Sequence, residues 1–298
     1  MVIIVSKEGQ LANRILHASS FIVNAEEHHY RVIHLFFDDF YSFFSESFDK
    51  KNTPLRFLSK KTTRSAKLFQ KAVTILIKGL LKLKITQLPF LRIIKYEGYE
   101  QGAIPFDLNN KTFLDKAKSK LVFVYGWAFR DFLNQEKYKK LLIDTWTPNR
   151  AFRENIEKYY NKYKKGHDVL IGVHIRGGDY KKFEGGKWYY TAEQYYTKMK
   201  ELASLKVFEG KKLSFIICTN EKNILLPATQ NFSVLNEERH FVEDLYLLAK
   251  CDYIIGPPST FSLWASFYGS KPLYMIRDLE TNITDEIFKK NSEIQKKL

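Results

Sequence analysis

From Val169 onward, short apolar runs alternate with segments of helical period, and this alternation leaves few folds open. Val169–Ile175, Leu213–Cys218, Asp252–Gly256 and Leu273–Ile276 read as strands. Between them Thr191–Leu205, Val242–Lys250 and Ser259–Tyr268 read as helices, the first with Thr191 as its N-cap. Strands separated by helices of this length predict a parallel, doubly wound α/β sheet of the nucleotide-binding kind.

The N-terminal part opens in the same way. Val2–Ser6 is a short β-branched run, Lys7–Asn13 a loop, and Leu11, Ile15, Ala18, Ile22 and Ala25 recur at helical spacing before a second strand over Arg31–Phe37. Residues 38–120 are less regular. Ser65–Lys84 has a helical pattern, with Phe69, Ala72, Val73, Leu76, Leu80 and Leu83 predicted on one face and Lys67, Lys71, Lys78 and Lys82 on the other. Leu121–Tyr125 reads as a strand followed by Gly126-Trp127, and Pro148 precedes a polar helix from Ala151 to Lys164. We therefore expect two domains, 1–150 and 151–298, which suits a chain of 298 residues.

The formal charge is +15, which points to an anionic partner: a nucleotide diphosphate, an acidic glycan, a membrane surface or nucleic acid. Much of the excess is local, since Lys50–Tyr96 holds thirteen Lys or Arg and no Asp or Glu. That segment has no nucleic-acid reading motif and few aromatic side chains for stacking on bases, so no nucleic-acid partner is expected. The only cysteines, Cys218 and Cys251, have no metal or disulfide spacing and read as buried small hydrophobes. There is no signal-peptide pattern and no apolar run of transmembrane length, so the expectation is a cytoplasmic protein, with peripheral contact to an anionic membrane as an open alternative.

Three loops at predicted strand ends carry unusual chemistry, and ligands of open α/β sheets bind outside the carboxyl ends of strands. His174-Ile175-Arg176-Gly177-Gly178-Asp179-Tyr180 places an arginine fork, suited to phosphate, beside two glycines. Gly256-Pro257-Pro258-Ser259-Thr260-Phe261-Ser262 leads into a helix whose N-terminus could hold an anion. Gly9-Gln10-Leu11-Ala12-Asn13-Arg14 joins the first strand to the first helix, with Asn13 or Arg14 able to reach a phosphate or sugar. Read singly, each also fits an ordinary connection: a turn with an Arg–Asp pair, an N-cap after a proline turn, and a plain strand–helix loop.

In order and spacing the set resembles the α-1,2-fucosyltransferase family and the wider fucosyltransferase superfamily. That family carries G-x-x-G-N after its first strand, a central H-x-R-R-G-D-Y, and a late S-T/S-F-S-W-W. The counterparts are Gly9 to Asn13, His174 to Tyr180, and Ser259 to Trp264; Glu243 to Ile255 is similar to the family's acidic helix leading into a strand. The chain departs at Ala12, Gly177 and Leu263, which replace a Gly, an Arg and a Trp. The resemblance implies a GT-B architecture: two Rossmann-like α/β domains facing a donor/acceptor cleft, the N-terminal one on the acceptor side and the C-terminal one binding nucleotide sugar. It implies transfer of L-fucose from GDP-fucose to a glycan hydroxyl, with inversion and without a metal or other cofactor.

With no metal, protein charge must stabilise the departing diphosphate. Arg176 is the first candidate, helped by Ser259, Thr260 and Phe261 at the helix N-terminus. Gly9 and Asn13 would meet the phosphate or sugar, and His174 would hold the nucleoside or orient its loop. By family analogy Asp244 would accept guanine N–H groups, though an acid on a solvated helix face fits equally well. Asp179 is the candidate general base, pairing with Arg176 being the alternative, and Glu184 a weaker second choice. Asp38-Asp39 are adjacent rather than alternate, so no metal-binding Asp-x-Asp is present. The competing readings are a GT-B enzyme with another donor or acceptor, and a non-catalytic protein that binds nucleic acid or anionic membrane.

Overall fold

The computed structural model describes all residues except 51–52, 99–103, 222–223, 225 and 292–298; Lys51 of the basic segment and the end of the second expected domain thus lie outside the described residues. The chain divides into two compact units, Met1–Asn149 and a second that starts at Arg150.

The first unit runs β1 (Val2–Ile4), α1 (Leu11–His28), β2 (Val32–His34), α2 (Ser45–Phe48), β3 (Leu55–Phe57), α3 (Arg64–Lys82), β4 (Gln87–Leu88), β5 (Leu91–Lys95), β6 (Phe106–Asp107), α4 (Lys111–Ser119), β7 (Leu121–Tyr125), β8 (Phe129–Arg130) and α5 (Lys139–Thr145). Its main sheet has the order β3-β2-β1-β7-β5-β4, parallel except for β4, which pairs antiparallel with β5. The chain steps outward from β1 to β3 and later returns to the other side of β1 with β7. The loops after β1 and β7 therefore flank a topological switch point.

The second predicted strand stops early. It ends at His34, where a turn begins, and Phe37 instead becomes the hub of an aromatic cluster. The Phe37 ring lies within 6.4 Å of Phe40, Phe44, Phe48, Phe57 and Trp146. The irregular stretch after residue 38 thus wraps bulky rings around one centre, which neither helical nor strand periodicity registers.

Helix α3 forms where predicted, capped by Thr63, whose side chain accepts from the Ala66 N–H, but it turns a different face to the core. Ala66, Gln70 and Ile77 are buried, and Val73, Leu80 and Leu81 pack beside Ile77 on the Val5–Leu35–Ile93 cluster. The predicted apolar face is left largely outside: Phe69 is 50% exposed, Leu76 60% and Leu83 69%. At 100° per residue, the buried face is rotated by roughly 80° from the predicted one. Gln70 accounts for the rotation, because its Nε2 donates to Leu35 O at 2.7 Å and to Asp38 Oδ1 at 2.8 Å, pulling a polar side chain inward.

The second unit follows the sequence pattern closely: α6 (Arg150–Lys164), β9 (Val169–Ile175), α7 (Ala192–Ala203), β10 (Leu213–Thr219), β11 (Phe232–Leu235), α8 (Phe241–Leu248), β12 (Tyr253–Gly256), α9 (Thr260–Gly269), β13 (Leu273–Met275) and α10 (Asp285–Asn291). Thr191 caps α7 through a reciprocal capping box with Gln194. The sheet order is β11-β10-β9-β12-β13, all parallel. All seven residues of β9 are buried, as a central strand covered on both faces requires. The order reverses between β9 and β12, and there the central and late loops emerge.

Cys218 and Cys251 are both free and buried, in agreement with the sequence, and burial pushes the Cys251 thiol up to about 12. Among the described residues, no helix is long and apolar enough to cross a membrane.

Candidate active site

His174 is the penultimate residue of β9 and is buried. Its Nδ1 lies 2.7 Å from Ser262 Oγ, and its ring meets the Phe261 ring at 4.9 Å. Burial, with the nearby Arg176 guanidinium adding to it, lowers its pKa to about 3. The imidazole is therefore neutral at physiological pH and serves as a fixed hydrogen-bonding plate, not as a cation.

Two residues further on, Arg176 leaves the sheet. Its Nη2 donates to Asp179 Oδ2 at 3.0 Å, and its guanidinium carbon lies 5.2 Å from the Tyr180 ring centroid. Its Nε is buried and finds no partner among the described residues. A buried donor without an acceptor is costly, and the guanidinium keeps part of its surface exposed at its other nitrogens, where an anion can pair with it. Tyr180 in turn donates its hydroxyl to Pro258 O at 2.9 Å and so joins the central loop to the late loop.

In the late loop, Ser259 is the N-cap of α9, its Oγ accepting from Phe261 N at 3.3 Å. Thr260 opens the helix, Phe261 covers His174, and Ser262 bonds it. One cluster at the switch point thus gathers His174, Arg176, Asp179, Ser259, Thr260 and Phe261. Glu184 lies in the exposed loop beyond, in a left-handed conformation with φ 46°.

Asp244 has a different neighbourhood. On α8 it is buried, and its Oδ1 accepts from Arg239 Nε at 2.8 Å. Arg239 also donates to Tyr163 Oη at 3.1 Å. Burial pushes the Asp244 carboxyl up to about 6 against the pull of Arg239.

In the first unit, Gly9 adopts φ +54°, and a Cβ there would lie 1.9 Å from Asn13 Nδ2. Only glycine lets the Asn13 side chain fold back over this turn. Arg14 is spent inside the unit: its Nη1 donates to Phe36 O at 2.7 Å and pairs with Asp39 at 3.3 Å. Lys7 holds the same Asp39 carboxylate at 2.8 Å, whereas Asp38 accepts from Gln70 and from Thr62. Among the described residues, no three His, Cys, Asp or Glu side chains gather as a metal-ligand group.

The sequence reading missed three neighbours of the central loop or its sheet. Asn220 Oδ1 accepts from Gly177 N at 3.0 Å, and Glu221 lies so close that a Cβ on Gly177 would fall 2.0 Å from its carboxyl carbon. Both follow directly on β10, so the strand-end rule pointed to them. The third, Arg239, lies outside any motif and gave no signal.

The model of glycosyl transferase family 11 matches residues 115–297, more than half of the chain, which therefore belongs to that family and is a glycosyltransferase. No curated protein matches it in sequence. Solved structures share its fold at low identity. A variant of FUT1 from Arabidopsis thaliana in complex with GDP is 13% identical, with a TM-score of 0.61 over 92% of this chain and 69% of the other. The fucosyltransferase NodZ from Bradyrhizobium is 14% identical, with a TM-score of 0.55 over 92% and 95%. POFUT1 in complex with GDP-fucose is 9% identical, with a TM-score of 0.53 over 95% and 96%. The chain thus has the parallel-sheet α/β fold of GT-B fucosyltransferases.

Proposed function

We propose that the protein transfers L-fucose from GDP-fucose to a hydroxyl of a glycan acceptor, in an α-1,2-fucosyltransferase-like reaction that inverts the anomeric carbon and needs no metal. The observation that carries this reading is the Arg176 fork, with its buried and unpartnered Nε, beside the N-terminus of α9 at the switch point of the second sheet. Arg176 neutralises the diphosphate as the glycosidic bond breaks, and the positive end of α9 adds to the same field. Asp179 holds the fork in place, and Tyr180 ties it to the late loop. His174, neutral and fixed by Ser262, orients the donor through its contact with Phe261.

The base that receives the acceptor proton is Asp179 or solvent. In the apo geometry Asp179 is exposed and paired with Arg176, which favours the orienting role. Gly9 and Asn13 lie in the N-terminal unit, and their assignment to the donor rests on the family motif alone. The Asp244 carboxylate already has Arg239 as a partner, so we assign it to holding α8 and the loop before it.

Titration calorimetry with GDP, UDP and CMP, together with transfer from GDP-fucose in EDTA, tests the proposal. Tightest binding of GDP and activity that persists with chelator are expected. A preference for UDP would overturn the donor, and loss of activity with chelator would overturn the metal-free route.

A further inference from the structure

The exposed side of α3 is apolar to an extent that a solvated helix does not need. Leu68 is 68% exposed and Ile75 61%, and with Phe69, Leu76 and Leu83 they form a stripe that meets no core. At 100° per residue this stripe covers roughly 120° of the helix, beside a narrower arc that holds Lys67, Lys71, Lys78 and Lys82. Helix α3 therefore has three faces: one against the sheet, one apolar and exposed, one basic. Soluble chains rarely leave such a stripe uncovered, and an apolar band flanked by lysines is the pattern of a helix lying in a membrane interface.

We propose that α3 docks the protein on an anionic phospholipid bilayer, with Leu68, Ile75 and Leu76 entering the acyl boundary and the four lysines reaching the headgroups. Charge complementarity selects this occupant. Lys60 and Lys95 pair with Asp49 and Glu97 just outside the segment, but Lys50 to Tyr96 has thirteen cations and no acid of its own, and the excess matches a dense field of anions. A second copy of the chain is disfavoured by the same fact, because a two-fold contact through this face would bring lysine against lysine. The basic face also borders a shallow pocket lined in part by Lys7, Lys67, Lys71, Lys78, Asp38 and Asp39, where four lysines outnumber two carboxylates. Lysine stems are long enough to keep their charges at the headgroups while the apolar stripe sinks.

This inference stands apart from the identity of the donor. Its test is co-sedimentation of the full chain with phosphatidylcholine vesicles, with and without phosphatidylserine, at low and high salt. Binding to the anionic vesicles that weakens in salt is expected. Exchanging the four lysines for Gln should weaken it by on the order of several hundredfold, since each contributes roughly fivefold near an anionic surface. The pair Ile75→Gln and Leu76→Gln should weaken it by roughly tenfold or more at unchanged charge, while both variants keep the native far-ultraviolet spectrum and melting temperature. The inference is overturned by equal pelleting with neutral lipid, by no pelleting at low salt, or by Ile75→Gln and Leu76→Gln binding like the native chain, which would leave only surface adsorption. A dimer in gel filtration that Leu76→Gln dissolves would assign the face to self-association instead.

Discussion

Replacing Arg176 by Lys keeps the charge but removes the planar fork, and the site geometry sets the size of the effect. In the native chain one nitrogen of the fork is held by Asp179 at 3.0 Å, and Nε is buried without a partner. A diphosphate meeting the exposed end nitrogens of the fork would gain two charge-assisted hydrogen bonds, each contributing roughly 1.5–3 kcal/mol. A lysine retains the Coulomb attraction and one such bond, so the loss is about 2 kcal/mol, roughly thirtyfold in kcat/KM. The loss should fall mainly on kcat, because charge on the diphosphate grows as the sugar leaves. Folding should hardly change, since Asp179 is exposed and its pair with Arg176 contributes little to stability. Steady-state transfer assays with a melting curve on the same preparation measure both. Wild-type kcat in a well-folded Arg176→Lys protein would remove Arg176 from the phosphate role.

Three further outcomes follow from buried groups. His17, His34 and His174 are all buried with lowered pKa values, about 3 for His34 and His174, while the unfolded chain protonates its histidines near pH 6.5. Their contribution is fully present above that value and is lost as pH falls through it; from pH 7 to 5.5 each should cost about 1.3 kcal/mol. In the second unit Asp244, raised to about 6, takes up a proton in the folded state over the same range and offsets part of the loss. The unit with two of these histidines should therefore weaken by more than twice as much as the other in urea titrations followed unit by unit, and equal acid sensitivity would contradict this. Asp244→Ala should cost roughly 3–5 kcal/mol by stranding the Arg239 guanidinium. Arg239→Met leaves a carboxyl that can take up a proton, and its pKa rises further above the unfolded value. The deficit of that variant against the native chain should then grow from pH 5.5 to pH 8, and a deficit that shrinks over this range would refute the account. A Cβ at Gly177 collides with Glu221, so Gly177→Ala should cost about 1 kcal/mol in the native background and much less with Glu221→Ala; additive effects in a double-mutant cycle would argue against the contact.

The second unit was legible because its chemistry and its periodicity coincide. Each of β9, β10, β12 and β13 is a continuous apolar run, and the polar loops follow them directly, so one rule located both the sheet and the cluster at its switch point. What that rule could not supply is partnership. Asp244 reads equally as a ligand for something outside the protein or as an acid on a solvated helix face; it is buried, and its partner Arg239 arrives from an unremarked loop five residues earlier. Arg14 reads either as able to reach a phosphate or as part of a plain strand–helix loop, and its guanidinium braces the turn that carries it, through Phe36 and Asp39. A charged side chain next to a glycine loop has the same sequence signature whether it serves a ligand or the loop. Only burial and hydrogen-bond geometry separate the two.

Helix α3 shows the same limit from the apolar side. Its sequence holds enough hydrophobic residues for two faces, and periodicity alone assumes that the richer face is the buried one. The richer face here is the exposed one. A single polar residue, Gln70, bonds a backbone carbonyl and an aspartate in the interior and outweighs the larger apolar stripe in setting the rotation. The energies are compatible with that outcome. Turning the helix back would bury Phe69 and Leu76 but would strand the Leu35 carbonyl and leave Ile77 outside, trading one apolar burial for another at the added cost of an unsatisfied polar group, about 1–3 kcal/mol. Gln70→Leu removes that constraint, so the orientation of α3 should then be decided by apolar area alone. Protection of Phe69 and Leu76 from solvent in the Gln70→Leu protein, read by their side-chain relaxation in NMR, is the expected result. Unchanged exposure of both would mean that the Val73–Ile77–Leu80 contacts suffice to fix the helix without the polar anchor.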